Sequence, residues 1–120
     1  MPVEPVTRET FHELLPITRP VAMPMVPSET WTDDEWQRIR LGFHSQSMDD
    51  RWNLLVEGHT WFAHRSWTGH GIFEATFVPA DGGGMRIGSA LVESDPERFR
   101  SSGPKSDLRI LTRVVQIALR

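Results

Sequence analysis

A chain of 120 residues, 38% hydrophobic and 24% charged, carries enough apolar matter for one core and too little charge for disorder. A formal charge of -3 and a pI near 5.9 exclude broad, non-specific nucleic-acid binding, which needs a basic face. The absence of cysteine excludes disulfides and thiolate metal sites, and makes a reducing compartment the simpler expectation.

Residues 1–30 hold six of the nine prolines: Pro2, Pro5, Pro16, Pro20, Pro24 and Pro27. Proline lacks the backbone N–H and drives its predecessor towards extended geometry. This stretch is read as a proline-rich extended arm, with at most a short helical turn around Thr10–Leu15. Its apolar Val21, Met23, Met25 and Val26 point to packing against a single domain that occupies residues 31–120.

A helix is expected over residues 32–42. Thr32-Asp33-Asp34-Glu35 matches a capping box, the acidic pair suits the positive end of the helix dipole, and Gly42 is a natural stop. Trp36, Ile39 and Phe43 fall on one face. Four β-rich runs follow after a polar loop: Arg51 to Val56, Trp61 to Arg65 or Ser66, His70 to Val78, and Met85 to Glu93. Their short connections predict an antiparallel β-meander of about 51–93, because parallel crossovers need longer links. Gly82-Gly83-Gly84 opens no helix and precedes no Lys-Ser/Thr pair, so it reads as a hairpin loop rather than a phosphate loop. Ser94-Asp95-Pro96-Glu97 predicts a short helix, and a C-terminal helix of 106–119 carries a wide apolar stripe from Leu108 to Ala118. The fold class is therefore α+β, a four-stranded meander packed by two helices.

One hairpin gathers unusual chemistry. Pairing of the first two strands brings Asp49-Asp50-Arg51-Trp52 to the end that carries His64-Arg65-Ser66-Trp67-Thr68-Gly69. Arginine forks bind phosphate or carboxylate bidentately, and indole faces stack on rings. Arg51, Trp52, His64, Arg65, Ser66, Trp67 and Thr68 are the candidate binding residues for a small anionic, ring-bearing ligand. A purely structural reading pairs Arg51 with Asp49 or Asp50 and lays Trp67 over the sheet edge. Register decides the faces. Pairing Arg65 with His70 sets Phe62 and His64 opposite Phe73 and Gly71 on the core side and turns Arg65 outwards. Pairing Ser66 with His70 sets Phe62 opposite Glu74. The first is preferred because it keeps the phenylalanines together.

Asp50 and His64 are the only acid/base candidates, and whether the protein is an enzyme stays open. His12, His44, His59, His64 and His70 show no ligand spacing, so no metal or cofactor is expected. No apolar run reaches the roughly 18–20 residues that span a bilayer, and no basic-then-apolar leader is visible. A cytoplasmic location without membrane contact is the expectation.

The order T-D-D-E-W-Q-R-I-R-L-G-F, S-M-D-D-R-W, W-F-A-H-R-S-W-T-G-H-G-I-F and S-D-P-E-R-F resembles a family of small bacterial proteins. Its members carry an M-D-D-K/R-W … H-R-S-W-T-G pattern, and some are linked to ADP-ribosyl hydrolases. The likeness runs from about Thr32 to Leu119. Asp49, Asp50, Arg51, Trp52 and His64 to Gly69 match the pattern. Asn53-Leu54-Leu55 and Phe62-Ala63 depart from it where more aromatic strands are expected. The resemblance implies an association with ADP-ribose or nucleotide chemistry. The alternative is a protein-interaction module without catalysis, such as an immunity or antitoxin-like partner or an accessory subunit, using the tryptophans and the arm.

Overall fold

Thr32 caps the first helix, α1 (Asp33–Arg40): its hydroxyl accepts from the Glu35 N–H at 3.1 Å, and the Glu35 carboxylate accepts from the Thr32 N–H at 2.9 Å. Gly42 ends the helix with a φ of +73°. A Cβ there would sit 2.5 Å from the Leu54 carbonyl, so glycine alone fits the turn that leads Phe43 into a two-way backbone bridge with Leu54.

The structure is a computed structural model that describes residues 4–11 and 13–120; His12 and Pro2 lie outside the described residues. The fold is α+β, with an open antiparallel sheet and a C-terminal helix. The sheet has six strands where four were expected: β1 (Pro20–Ala22), β2 (Thr30–Trp31), β3 (Trp52–Glu57), β4 (Thr60–Arg65), β5 (Gly71–Pro79) and β6 (Met85–Glu93). Their order is β1-β6-β5-β4-β3, and β2 also pairs with β6. The two additional strands come from the proline-rich arm. Pro20–Ala22 lies opposite Glu93–Leu91, and Thr30–Trp31 opposite Arg86–Met85. Pro24 and Pro27 fall between these two short ladders, where their missing N–H groups interrupt the pairing.

The arm also crosses the sheet. Arg8 pairs with Glu57 at 2.8 Å and lies 5.2 Å above the Phe62 ring. The Leu15 N–H donates to the Gly69 carbonyl at 2.9 Å, and the Gly71 N–H to the Leu15 carbonyl at 2.8 Å. The helical turn expected around Thr10–Leu15 is a 3-10 turn at Arg8–Thr10 instead.

The register at the second hairpin corrects the expectation in detail. Ala63 faces Phe73, but His64 faces Gly71, and Ile72 is the unpaired residue of a β-bulge between them. Near the turn the pairing follows the preferred register; beyond the bulge Phe62 lies opposite Glu74, the pairing that had been rejected.

Two layers cover the sheet. The main core joins Trp52, Leu54, Trp61, Ala63, Phe73 and Phe77 to Trp36 and Ile39 of α1 and to Leu111, Val114 and Val115 of α2 (Pro104–Gln116). Trp31 and Trp36 both pack on Phe77, with ring centroids 5.5 and 4.7 Å away. Coverage of both faces leaves Trp52, Asn53, Leu54 and Leu55 all buried. The segment 94–97 forms no helix: Arg98 and Phe99 donate to the Asp95 carbonyl in one turn, and Phe99 then drops beside Phe73, 5.7 Å between centroids. No helix among the described residues is long and apolar enough to cross a membrane.

Candidate functional site

The loop before β3 and the turn after β4 are stitched together. The Ser66 N–H donates to the Arg51 carbonyl at 3.0 Å, the Ser66 hydroxyl to the Asp50 carbonyl at 2.7 Å, and the Trp67 indole N–H to the Met48 carbonyl at 3.2 Å. The turn itself depends on Gly69, whose φ is +79° and whose Cβ position lies 2.5 Å from the Glu13 carbonyl. Gly69→Ala is expected to cost about 2–4 kcal/mol, read as a loss of Tm, because it adds left-handed strain to a clash with the arm.

This stitching fixes a cleft of about 440 Å³ lined by Arg51, Arg65, Trp67, Thr68 and His70, and closed by Glu97 and Arg98 of the 95–99 turn. Arg65 lies flat over the buried Trp52 ring at 4.4 Å, a cation–π contact that holds its guanidinium in place. Burial, and then the positive charge of Arg51, lower the Arg65 pKa from its usual value. Trp67 is 70% exposed, the only tryptophan outside the core, so its anchored ring is presented to solvent.

Among the described residues the one ion pair within 4.0 Å is Arg8–Glu57. Arg51 is therefore not paired with Asp49 or Asp50. The Asp50 carboxylate accepts from the Gln46 N–H at 2.8 Å and shapes its own loop. Arg98 buries its Nη1 with no hydrogen-bond partner among the described residues. Three arginines thus line one cleft together with Glu97, and among the described residues no carboxylate lies within 4.0 Å of their guanidinium groups. That arrangement is unfavourable on its own and favours an anion between them.

The sequence-derived cluster divides. Arg51, Arg65, Trp67 and Thr68 share the cleft, with Trp52 as the floor under Arg65. Asp49 and Asp50 line an adjoining hollow of about 420 Å³ that shares both Arg51 and Arg65 and adds Arg113 and Arg120. Ser66 faces a third hollow, of about 210 Å³, beside Phe11 and His44. His64 was expected on the core side with Arg65 turned outwards. Their faces are exchanged: Arg65 lies with Trp52 on the helix side, and His64 pairs beside Asn53 on the face that the arm covers.

His64 is 3% exposed, and its Nδ1–H donates to the Gly69 carbonyl at 2.9 Å. Burial lowers its pKa; the Gly69 and Leu15 carbonyls oppose this, the Arg8 charge adds to it, and burial wins. With a folded-state pKa below the unfolded 6.5, the neutral ring contributes fully above that pH, and the contribution is lost as pH falls through the folded value. His64→Asn keeps the donor to Gly69 and cannot titrate. It should flatten the fall in stability as pH drops below about 6.5, where one proton gives a slope of at most about 1.4 kcal/mol per pH unit; an unchanged slope in urea titrations would assign the effect elsewhere.

His70, Glu97 and Arg98 were missing from the sequence-derived site. His70 directly follows the matched turn and was within reach of a local reading. Glu97 and Arg98 come from a separate segment that only the fold of Phe99 into the core brings alongside. Comparison with protein-family models, with curated proteins and with solved structures finds no match.

Proposed function

We propose that the protein binds a small anionic, ring-bearing ligand of the ADP-ribose or nucleotide kind in the Arg51–Arg65–Arg98 cleft. The observation that carries this is three arginines lining one cleft with no carboxylate within 4.0 Å of them among the described residues, Glu97 of the same lining included, and one of them burying an unsatisfied Nη1. Arg51, Arg65 and Arg98 take the phosphate or carboxylate oxygens. Trp67 stacks on the ring, and Thr68, His70 and Glu97 are placed for hydroxyl or amide groups around it. The resemblance to the M-D-D-K/R-W … H-R-S-W-T-G proteins supports the same chemistry. His64, sealed on the other face, supplies no acid or base to this cleft.

Thermal denaturation with ADP-ribose, NAD and AMP tests the reading. A ligand at a hundred times its Kd should stabilise by about 2.7 kcal/mol. No shift in Tm at millimolar concentration of any of the three would sink it. A second reading has one observation in its favour: Met48, 76% exposed, and Trp67, 70% exposed, are two large apolar residues held near each other by the indole N–H bond to the Met48 carbonyl. Such a pair suits a protein partner. A stoichiometric partner recovered by the parent and lost with Trp67→Ala, with no ligand-induced shift, would favour that reading.

A further inference from the structure

A cleft of about 620 Å³ lies elsewhere, between β1, the end of β6 and the start of α2. Its walls are mostly apolar: Val21, Met23, Val92, Phe99 and three prolines. Two carboxylates lie in its lining. Glu93 is spent, since both of its oxygens accept two donors each. Asp107 is not. It is 5% exposed, its Oδ2 accepts from the Ser101 hydroxyl at 2.6 Å, and its Oδ1 has no hydrogen-bond partner among the described residues. The single cation of the lining, Arg100, is exposed and makes no ion pair within 4.0 Å among the described residues.

A buried carboxylate oxygen without a donor is costly, and the cost is relieved by any donor that arrives with a desolvated positive charge. The torsion that orients the Asp107 carboxylate is broad, so either oxygen can turn towards the cleft. Apolar walls around one acidic acceptor define a narrow class of ligand. We propose that this cleft is a second binding site, distinct from the arginine cleft, for a small apolar molecule that carries a protonated amine. The amine donates to Asp107, and the apolar body lies along Val92, Phe99 and Met23.

Hexylamine, hexanol and hexanoate, equal in chain length and different in head group, make the test. Each is titrated at pH 7 into the full chain labelled with nitrogen-15, and amide shifts of Val92, Phe99, Ser101 and Asp107 are followed. Hexylamine should bind saturably, about tenfold tighter than hexanol, with hexanoate weakest. In D107N the amine's advantage over hexanol should vanish while hexanol binding persists. AMP should not displace the amine. Equal binding of hexylamine and hexanol to the parent chain, no binding of hexylamine at about 10 mM, or displacement by AMP would each overturn the proposal. The head-group ranking on the parent decides the matter even if D107N fails to fold.

Discussion

Arg51→Ala should weaken binding of ADP-ribose or AMP by about tenfold to a hundredfold while leaving Tm within about 2 °C of the parent. The split follows from where Arg51 sits. Its side chain is exposed and makes no ion pair within 4.0 Å among the described residues, and its structural role is carried by the backbone carbonyl that accepts from Ser66. Alanine keeps that carbonyl. Arg65→Ala should weaken binding as much but also lower stability by about 1 kcal/mol, since the half-buried guanidinium covers Trp52 at 4.4 Å. Isothermal titration together with melting curves separates the two effects. Unchanged affinity in both variants would remove the arginine cleft as the binding site.

Glu93→Ala should cost about 3–5 kcal/mol. Glu93 is 0% exposed and has no cationic partner within 4.0 Å among the described residues. It is held by the Thr18 N–H at 2.8 Å, the Thr18 hydroxyl at 3.1 Å, the Arg19 N–H at 2.9 Å and the Asp95 N–H at 3.1 Å. Alanine orphans three backbone donors and frees the arm from β6 at the point where β1 begins. Burial alone would raise the carboxyl's pKa, but the hydrogen bonds from Thr18, Asp95 and Arg19 outweigh it and hold the value below 4.5. The sign follows: the ionised group stabilises fully above about pH 4.5, and the contribution is lost as pH falls through the folded value. Chemical denaturation at pH 7 and pH 4 checks both points; a Glu93→Ala penalty under about 1 kcal/mol at pH 7 would show that the four bonds add little.

The same residue links the arm to the arginine cleft. Asp95 accepts the N–H groups of Arg98 and Phe99 at its carbonyl and that of Glu97 at Oδ1, so its position sets where Arg98 points. The loss in Glu93→Ala should therefore extend to ligand affinity.

How much could be read from the chain depended on how local the determinant was. The capping box at Thr32–Glu35 and the β-rich runs with short connections from Trp52 to Glu93 are local, and both emerge within a residue or two. The register was not, because it was chosen by matching Phe62 to Phe73. The sheet instead inserts Ile72 as a bulge, buries Phe73 on the helix side beside Trp52, and leaves Phe62 under Arg8. The arm strands were hidden by their own prolines, which normally argue against pairing. At an edge the missing N–H faces away from the ladder and costs nothing. Arg98 was passed over for a different reason: its segment S-D-P-E-R-F was read as a short helix and not as part of a site, and only the anchoring of Phe99 brings it to Arg65.

The arm also covers an edge of the sheet. Without residues 20–31, β6 would present an open edge from Met85 to Glu93. Such an edge is a template for another chain's strand. The prolines that break the arm's own pairing also make it a poor surface for a further strand, so it acts as a guard against stacking of one sheet on the next. Removal of the first 31 residues should make the chain self-associate more strongly than the parent as concentration rises. Light scattering that stays concentration-independent after the truncation would assign that protection to some other part of the surface.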